Sequence, residues 1–152
     1  MSARLLNGNE IRDQIKAEVA RELEQLRGAG IRPGLSVILV GNDPASEIYT
    51  RNKAKTCQDL GMFSERIELP SSITTEELLA RVNDLNRRDE IDGILVQLPL
   101  PSHVDSKKVL LAVDPAKDVD GFHPVNVGKL VLGSTAQTVM LRAKCSVLGV
   151  RV

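Results

Sequence analysis

Two short runs dense in β-branched and leucine side chains, 35–40 and 91–96, are divided by stretches whose apolar residues recur with helical period. This alternation constrains the fold more than any other feature. A continuous apolar run of about six residues reads as a strand buried on both faces, the pattern of a parallel sheet. Between and around these runs, Ile11, Ile15, Val19, Leu23 and Leu26 mark a helix over 9–27, with Asn9 as its N-cap. Gly28, Gly30, Pro33 and Gly34 stop it. The Asp43-Pro44 pair suits a helix start, predicting a second helix over 45–60 that ends at Gly61. A strand follows over 63–69. Thr74 and Glu77 then form a capping-box pattern ahead of Leu78, Leu79, Val82 and Leu85. A short helix is predicted over 106–113, and one more helical turn over 125–130. The expected class is α/β: a three-layer domain with a mostly parallel sheet flanked by helices. In such sheets ligands sit beyond the carboxyl ends of the strands, here 41–44, 70–72 and 97–101.

The composition is that of a globular protein. Of 152 residues, 42% are apolar and 26% charged, with 20 basic residues balanced by 20 acidic ones. A zero net charge gives no support to a nucleic-acid or anionic-membrane partner. No apolar run approaches the ~20 residues of a membrane span. The acidic residues Glu10 and Asp13 precede any apolar run, so no signal peptide is expected. Cys57 and Cys145 suggest neither a disulfide scaffold nor a zinc site, and free thiols suit the cytoplasm. The charge is unevenly spread: residues 134–152 carry Arg142, Lys144 and Arg151 and no acid.

Within the second helix, Glu47, Arg51, Lys55 and Asp59 recur every four residues and form a solvated charged stripe. Tyr49, Lys53, Cys57 and Leu60 form another, and Lys53 therefore falls on the more buried face. It is either a lysine that snorkels to water or a lysine held at a pocket wall, where desolvation would disfavour its charge and suit it to proton transfer. Tyr49 could stack on a flat ligand. Gln97 ends the 91–96 strand at its carboxyl side, as a loop amide or as a ligand-facing group that orients the lysine. Pro99 and Pro101 hold the next loop extended. Asp118-Val119-Asp120-Gly121 cannot be a calcium loop of the EF-hand type, because the first and twelfth positions fall on Ala116 and Val127. It reads as a turn whose Asp120 carboxylate could receive paired N–H donors. Phosphate-binding and nucleophile-elbow motifs are not found, no metal ligand set is expected, and His103 and His123 read as structural.

Three segments together resemble the bifunctional methylenetetrahydrofolate dehydrogenase / methenyltetrahydrofolate cyclohydrolase family. They are Pro44-Ala45-Ser46-x-x-Tyr49-x-x-x-Lys53, the run from Asp92 through Gln97-Leu98-Pro99-Leu100-Pro101, and Lys117-Asp118-Val119-Asp120-Gly121-Phe122-His123. The similarity implies a folate substrate and assigns Lys53, Gln97 and Asp120 to the catalytic set. Lys53 would transfer protons as water attacks the methenyl bridge, with Gln97 supporting it and Asp120 binding the pterin's amino edge. Tyr49 would pack on the folate rings, with Gln97, Leu98 and Pro99 also lining the substrate site. The resemblance covers 1–133 as a folate-binding catalytic domain, and 134–152 does not continue it. The family's second, NADP-binding Rossmann domain is therefore expected to be absent, through a shifted reading frame or an early end. NADP belongs to the full-length family, is not expected to bind this chain alone, and the family's homodimer contacts lie largely in that other domain. The expected reaction is hydrolysis of methenyltetrahydrofolate, paired in the whole family with NADP-dependent oxidation of methylenetetrahydrofolate. The alternatives are a non-catalytic folate-binding remnant and a fragment that complements a separate NADP-binding chain.

Overall fold

The computed structural model describes residues 8–126. Seven elements follow in order: α1 (Gly8–Gly28), β1 (Gly34–Val40), α2 (Pro44–Asp59), β2 (Phe63–Leu69), α3 (Thr75–Arg87), β3 (Gly93–Val96) and α4 (Ser106–Ala112). The strands form one parallel sheet in the order β2-β1-β3, with Gly34 opposite Phe63 and Leu35 opposite Gly93. A single parallel bridge between Ile94 and Asp118 extends the sheet beyond β3.

Alternation along the strands divides the core into two. Leu35 and Val37 of β1 and Leu95 of β3 pack with Val19, Leu23, Cys57 and Met62, on the side of α1 and α2. Ile38, Val40, Ile94 and Val96 pack on the other side with Leu78, Val82 and Leu85 of α3 and Val109 of α4. The result is the three-layer arrangement expected from the sequence. Every residue of β1 is buried, as its unbroken apolar run requires.

Local chemistry sets the element ends. Asp43 caps α2 through its carboxylate, which accepts from Ser46 N at 2.8 Å, with Pro44 at the first helical position. Thr74 and Glu77 make the full reciprocal capping box of α3. Two expectations change. The helix α1 is already formed at Gly8, the first described residue, so Asn9 lies inside it, where its side-chain oxygen accepts from Arg12 at 3.2 Å. It ends through Gly30, whose φ of 75° is the left-handed conformation of a helix stop; Ile31 N returns to Leu26 O at 2.9 Å. β3 is also shorter than the apolar run, because Ile91 N donates to Arg88 O and the Asp92 carboxylate accepts from Gly34 N. The predicted turn over 125–130 lies mostly outside the described residues, although 124–126 are helical. The 134–152 segment lies wholly outside them.

Candidate functional site

All three strands run in parallel, so their carboxyl ends share one edge. The chain leaves that edge at Gly41, Pro70 and Gln97. Gln97 N donates to Ile38 O at 2.9 Å, holding Gln97 beside the end of β1, where the turn into α2 begins. Because the Ile94–Asp118 bridge is parallel, Asp120 is carried toward the same edge. The topology thus gathers α2, Gln97-Leu98-Pro99 and Asp120 from positions far apart in sequence.

The faces of α2 divide as charge predicts. Arg51 pairs with Glu47 at 3.9 Å, and Lys55 with Asp59 at 2.8 Å, both with well-exposed side chains. The opposite stripe is small and partly polar: Ser46, Thr50 and Cys57 are buried. Thr50 turns its hydroxyl back onto the helix, donating to Ser46 O at 2.9 Å. Lys53 projects within this stripe, between Thr50 and Cys57, and is only partly exposed. Among the described residues its ammonium has no hydrogen-bond or ion-pair partner. Tyr49 was expected on the same buried stripe; it is 51% exposed and sits on its rim, with exposed Ile48 beside it. One turn beyond Lys53, burial pushes the Cys57 thiol up to about 11 and makes it inert.

Gln97 presents the site's sharpest electrostatic feature. Its Nε2 donates to Leu98 O at 2.8 Å. A carbonyl can only accept, which fixes the amide's orientation and leaves Oε1 pointing elsewhere. Oε1 is buried and receives no donor among the described residues. A buried acceptor left unpaired costs about 1–3 kcal/mol, so such a group marks a place where a donor belongs. Leu98 is partly buried and Pro99 exposed, joined by a cis peptide bond.

The 117–121 run separates into distinct roles. Lys117 Nζ donates to Arg88 O at 2.8 Å and Leu85 O at 3.3 Å, satisfying the carboxyl end of α3. The Asp118 carboxylate is buried and accepts from the backbone of Gly121 and His123. Val119 packs against the α1–α2 side of the core. Asp120 is exposed. His103 Nε2 lies 2.9 Å from Ile73 O, and His123 Nδ1 accepts from Val125 N, so both histidines serve the loops that carry them.

Comparison with known proteins gives this arrangement a lineage. A family model described as "Tetrahydrofolate dehydrogenase/cyclohydrolase, catalytic domain" matches residues 6–120. The chain belongs to this family. Its relatives include the bifunctional protein FolD of Solibacter usitatus, 64% identical over 128 residues, covering 84% of this chain and 42% of the relative. The FolD of Acetivibrio thermocellus is 52% identical over 134 residues, covering 88% and 47%. The FolD crystal structure from Campylobacter jejuni superposes with a TM-score of 0.83 at 43% identity, covering 94% of this chain and 53% of that one. A Trypanosoma brucei FolD, solved with NADP cofactor and inhibitor, gives 0.80 at 38% identity, covering 86% and 45%. The chain spans less than half the length of the Solibacter and Acetivibrio relatives.

Two buried residues near the end of the described chain escape a reading of the sequence alone. Asp118 looks like one more turn aspartate, and Asn126 carries no motif. Both are buried side chains bonded to each other at 3.1 Å. A buried aspartate and asparagine are recognisable only once their partners are known; in sequence they resemble ordinary loop residues.

Proposed function

We propose that this chain carries the hydrolytic chemistry of the family, the conversion of methenyltetrahydrofolate, with Lys53 as the proton-transfer group. The methenyl carbon lies between two nitrogens that share a positive charge. Water adds to that carbon, and one carbon–nitrogen bond then breaks. Of the two protons the water gives up, one ends on the released nitrogen and one goes to solvent. A group that can take up and return a proton beside the bridge serves both steps. Lys53 lies on the inward stripe of α2, at the end of a flexible stem, and its amine has no partner among the described residues. Gln97 is suited to hold it: Oε1 can only accept, and an ammonium only donates. Tyr49 offers an exposed ring for the flat pterin, and Asp120 an exposed carboxylate for its amino edge. The buried Oε1 of Gln97, an acceptor without a donor among the described residues, carries this reading.

The oxidative half of the family's chemistry finds no such support in the described residues. A dinucleotide's pyrophosphate sits at a helix N-terminus just after a strand. The corresponding β1–α2 turn presents Asp43, whose carboxylate already takes Ser46 N at 2.8 Å. A second anion there would meet repulsion and an occupied donor. These residues do not fit NADP, and no hydride step is assigned to them.

The test is hydrolysis of methenyltetrahydrofolate by the purified chain, followed as loss of its absorbance. Lys53→Met, which keeps the stem and removes the amine, should lower turnover by about 10²–10⁴-fold. Its thermal midpoint should stay within a degree or two. Unchanged turnover would remove Lys53 from the mechanism. Binding of tetrahydrofolate without any turnover would make the chain a folate-binding domain alone.

A further inference from the structure

Beyond Val119, which packs against the α1–α2 side of the core, the loop that displays Asp120 leaves its large apolar side chains exposed. Phe122 is 46% exposed, Val125 55%, and Asp120 itself is exposed. Two buried polar side chains, Asp118 and Asn126, bond the segment beyond it. Asp118 Oδ1 accepts from Gly121 N at 3.0 Å, and Oδ2 accepts from His123 N at 2.8 Å. Oδ2 also accepts from Asn126 Nδ2 at 3.1 Å, and the same Nδ2 donates to Pro115 O at 2.9 Å. Both neighbours of Nδ2 are acceptors, so the orientation of the Asn126 amide is fixed by its surroundings. Among the described residues no cation neutralises Asp118, and its charge is met entirely by N–H donors.

Burying a carboxylate is costly unless its hydrogen bonds are made. Here they are all made to the segment that follows it. The Asp118 backbone, meanwhile, is bridged to Ile94 on the sheet. Asp118 therefore joins the rigid sheet to the turn around Asp120, and Asn126 closes that turn back to Pro115. Together they span 115–126 and leave Asp120 at the outer point. From this geometry we infer that Asp118 and Asn126 are positioning residues, which preset the turn so that folate meets Asp120 already in place. The inference rests on the folate reading above. It adds that affinity depends on two side chains that touch no substrate, by sparing the ligand the cost of ordering the loop.

A double-mutant cycle tests this, with tetrahydrofolate as the binding probe. Asn126→Ala should weaken binding about tenfold and raise KM for methenyltetrahydrofolate by the same factor, with kcat within about twofold. In an Asp120→Ala background, Asn126→Ala should cause no further loss, because the residue it positions is gone. Asp118→Asn, of equal size but with a donor facing donors, should change KM in the same direction and cover the case in which Asn126→Ala fails to fold. Equal weakening by Asn126→Ala with and without Asp120 would overturn the inference, as would unchanged binding in a wild-type background. Failure of the wild-type chain to bind tetrahydrofolate would overturn the folate reading together with this one. Normal wild-type binding with a silent Asn126→Ala would overturn this one alone.

Discussion

Two glycines six residues apart should respond to the same substitution with opposite signs. Gly28 is the last residue of α1, and a methyl group there would meet nothing within 4 Å. Gly28→Ala should stabilise the chain by about 0.5–1 kcal/mol, through helix propensity and a less free unfolded chain. Gly34 opens β1, and a Cβ there would fall 1.9 Å from Glu90 O and 3.3 Å from Phe63 Cδ1. An ordinary carbon–oxygen contact is about 3.3 Å, so one backbone must retreat by roughly 1.4 Å. That retreat pulls on Gly34 N→Asp92 Oδ2 at 3.0 Å and Asp92 N→Gly34 O at 2.8 Å. Loss of two hydrogen bonds at about 1 kcal/mol each, with about 1–3 kcal/mol of overpacking strain, gives about 3–5 kcal/mol of destabilisation. Against a typical total of about 5–15 kcal/mol this is severe. Urea unfolding followed by circular dichroism reads both variants, the midpoint moving at constant slope. A Gly34→Ala variant within about 1 kcal/mol of wild type would refute the close-approach argument. A destabilised Gly28→Ala would refute the assignment of the helix stop to Gly30.

Further outcomes follow from two named groups. Thr74→Ala removes the acceptor for Glu77 N and should cost about 1 kcal/mol, a fall of roughly 2–4 °C in thermal midpoint. The Thr74 backbone and hydroxyl hold the Glu77 carboxyl below its usual range; its contribution is present above the ordinary carboxylate pKa and lost as pH falls through the lowered one. Thr74→Ala should therefore weaken the acid sensitivity, as read from unfolding midpoints between neutral and acid pH. For Cys57, burial raises the thiol to about 11, so the unfolded chain ionises first and stability falls as pH rises from about 9 toward 11. Cys57→Ala should flatten that alkaline slope, and a slope identical to wild type would assign it to other groups.

Much of this fold is legible because its signals are local. The β1 run, short, β-branched and bounded by Gly34 and Gly41, reads as a doubly buried strand, and Thr74 with Glu77 writes its cap within four residues. The failures are of another kind. Tyr49 shares an angular neighbourhood with Lys53, but which side of a helix is covered depends on where the sheet lies, and Ser46 and Thr50 take the covered positions. Asn9 has the chemistry of a cap, yet it lies inside α1, which is already formed at Gly8. The candidate site shows the same division. Lys53, Gln97 and Asp120 belong to motifs, whereas the orphaned Oε1 of Gln97 and the Asp118–Asn126 pair exist only once distant segments meet.

The lysine at 117 has a consequence for how the molecule breathes. Its ammonium holds the last carbonyls of α3, and its own carbonyl accepts from Ile94 N at 2.7 Å. Just beside it, Asn86 bonds Ala112 O at 2.7 Å and accepts from Asp114 N at 2.9 Å. The end of α3 is thus a knot in which a helix, a strand and the loop leading to Asp120 are tied by polar bonds. Local opening cannot release the loop without also loosening the helix terminus, so these segments should exchange their amide hydrogens as one cooperative unit rather than the loop fraying first. A surface loop of this kind inherits the stability of the layer beneath it.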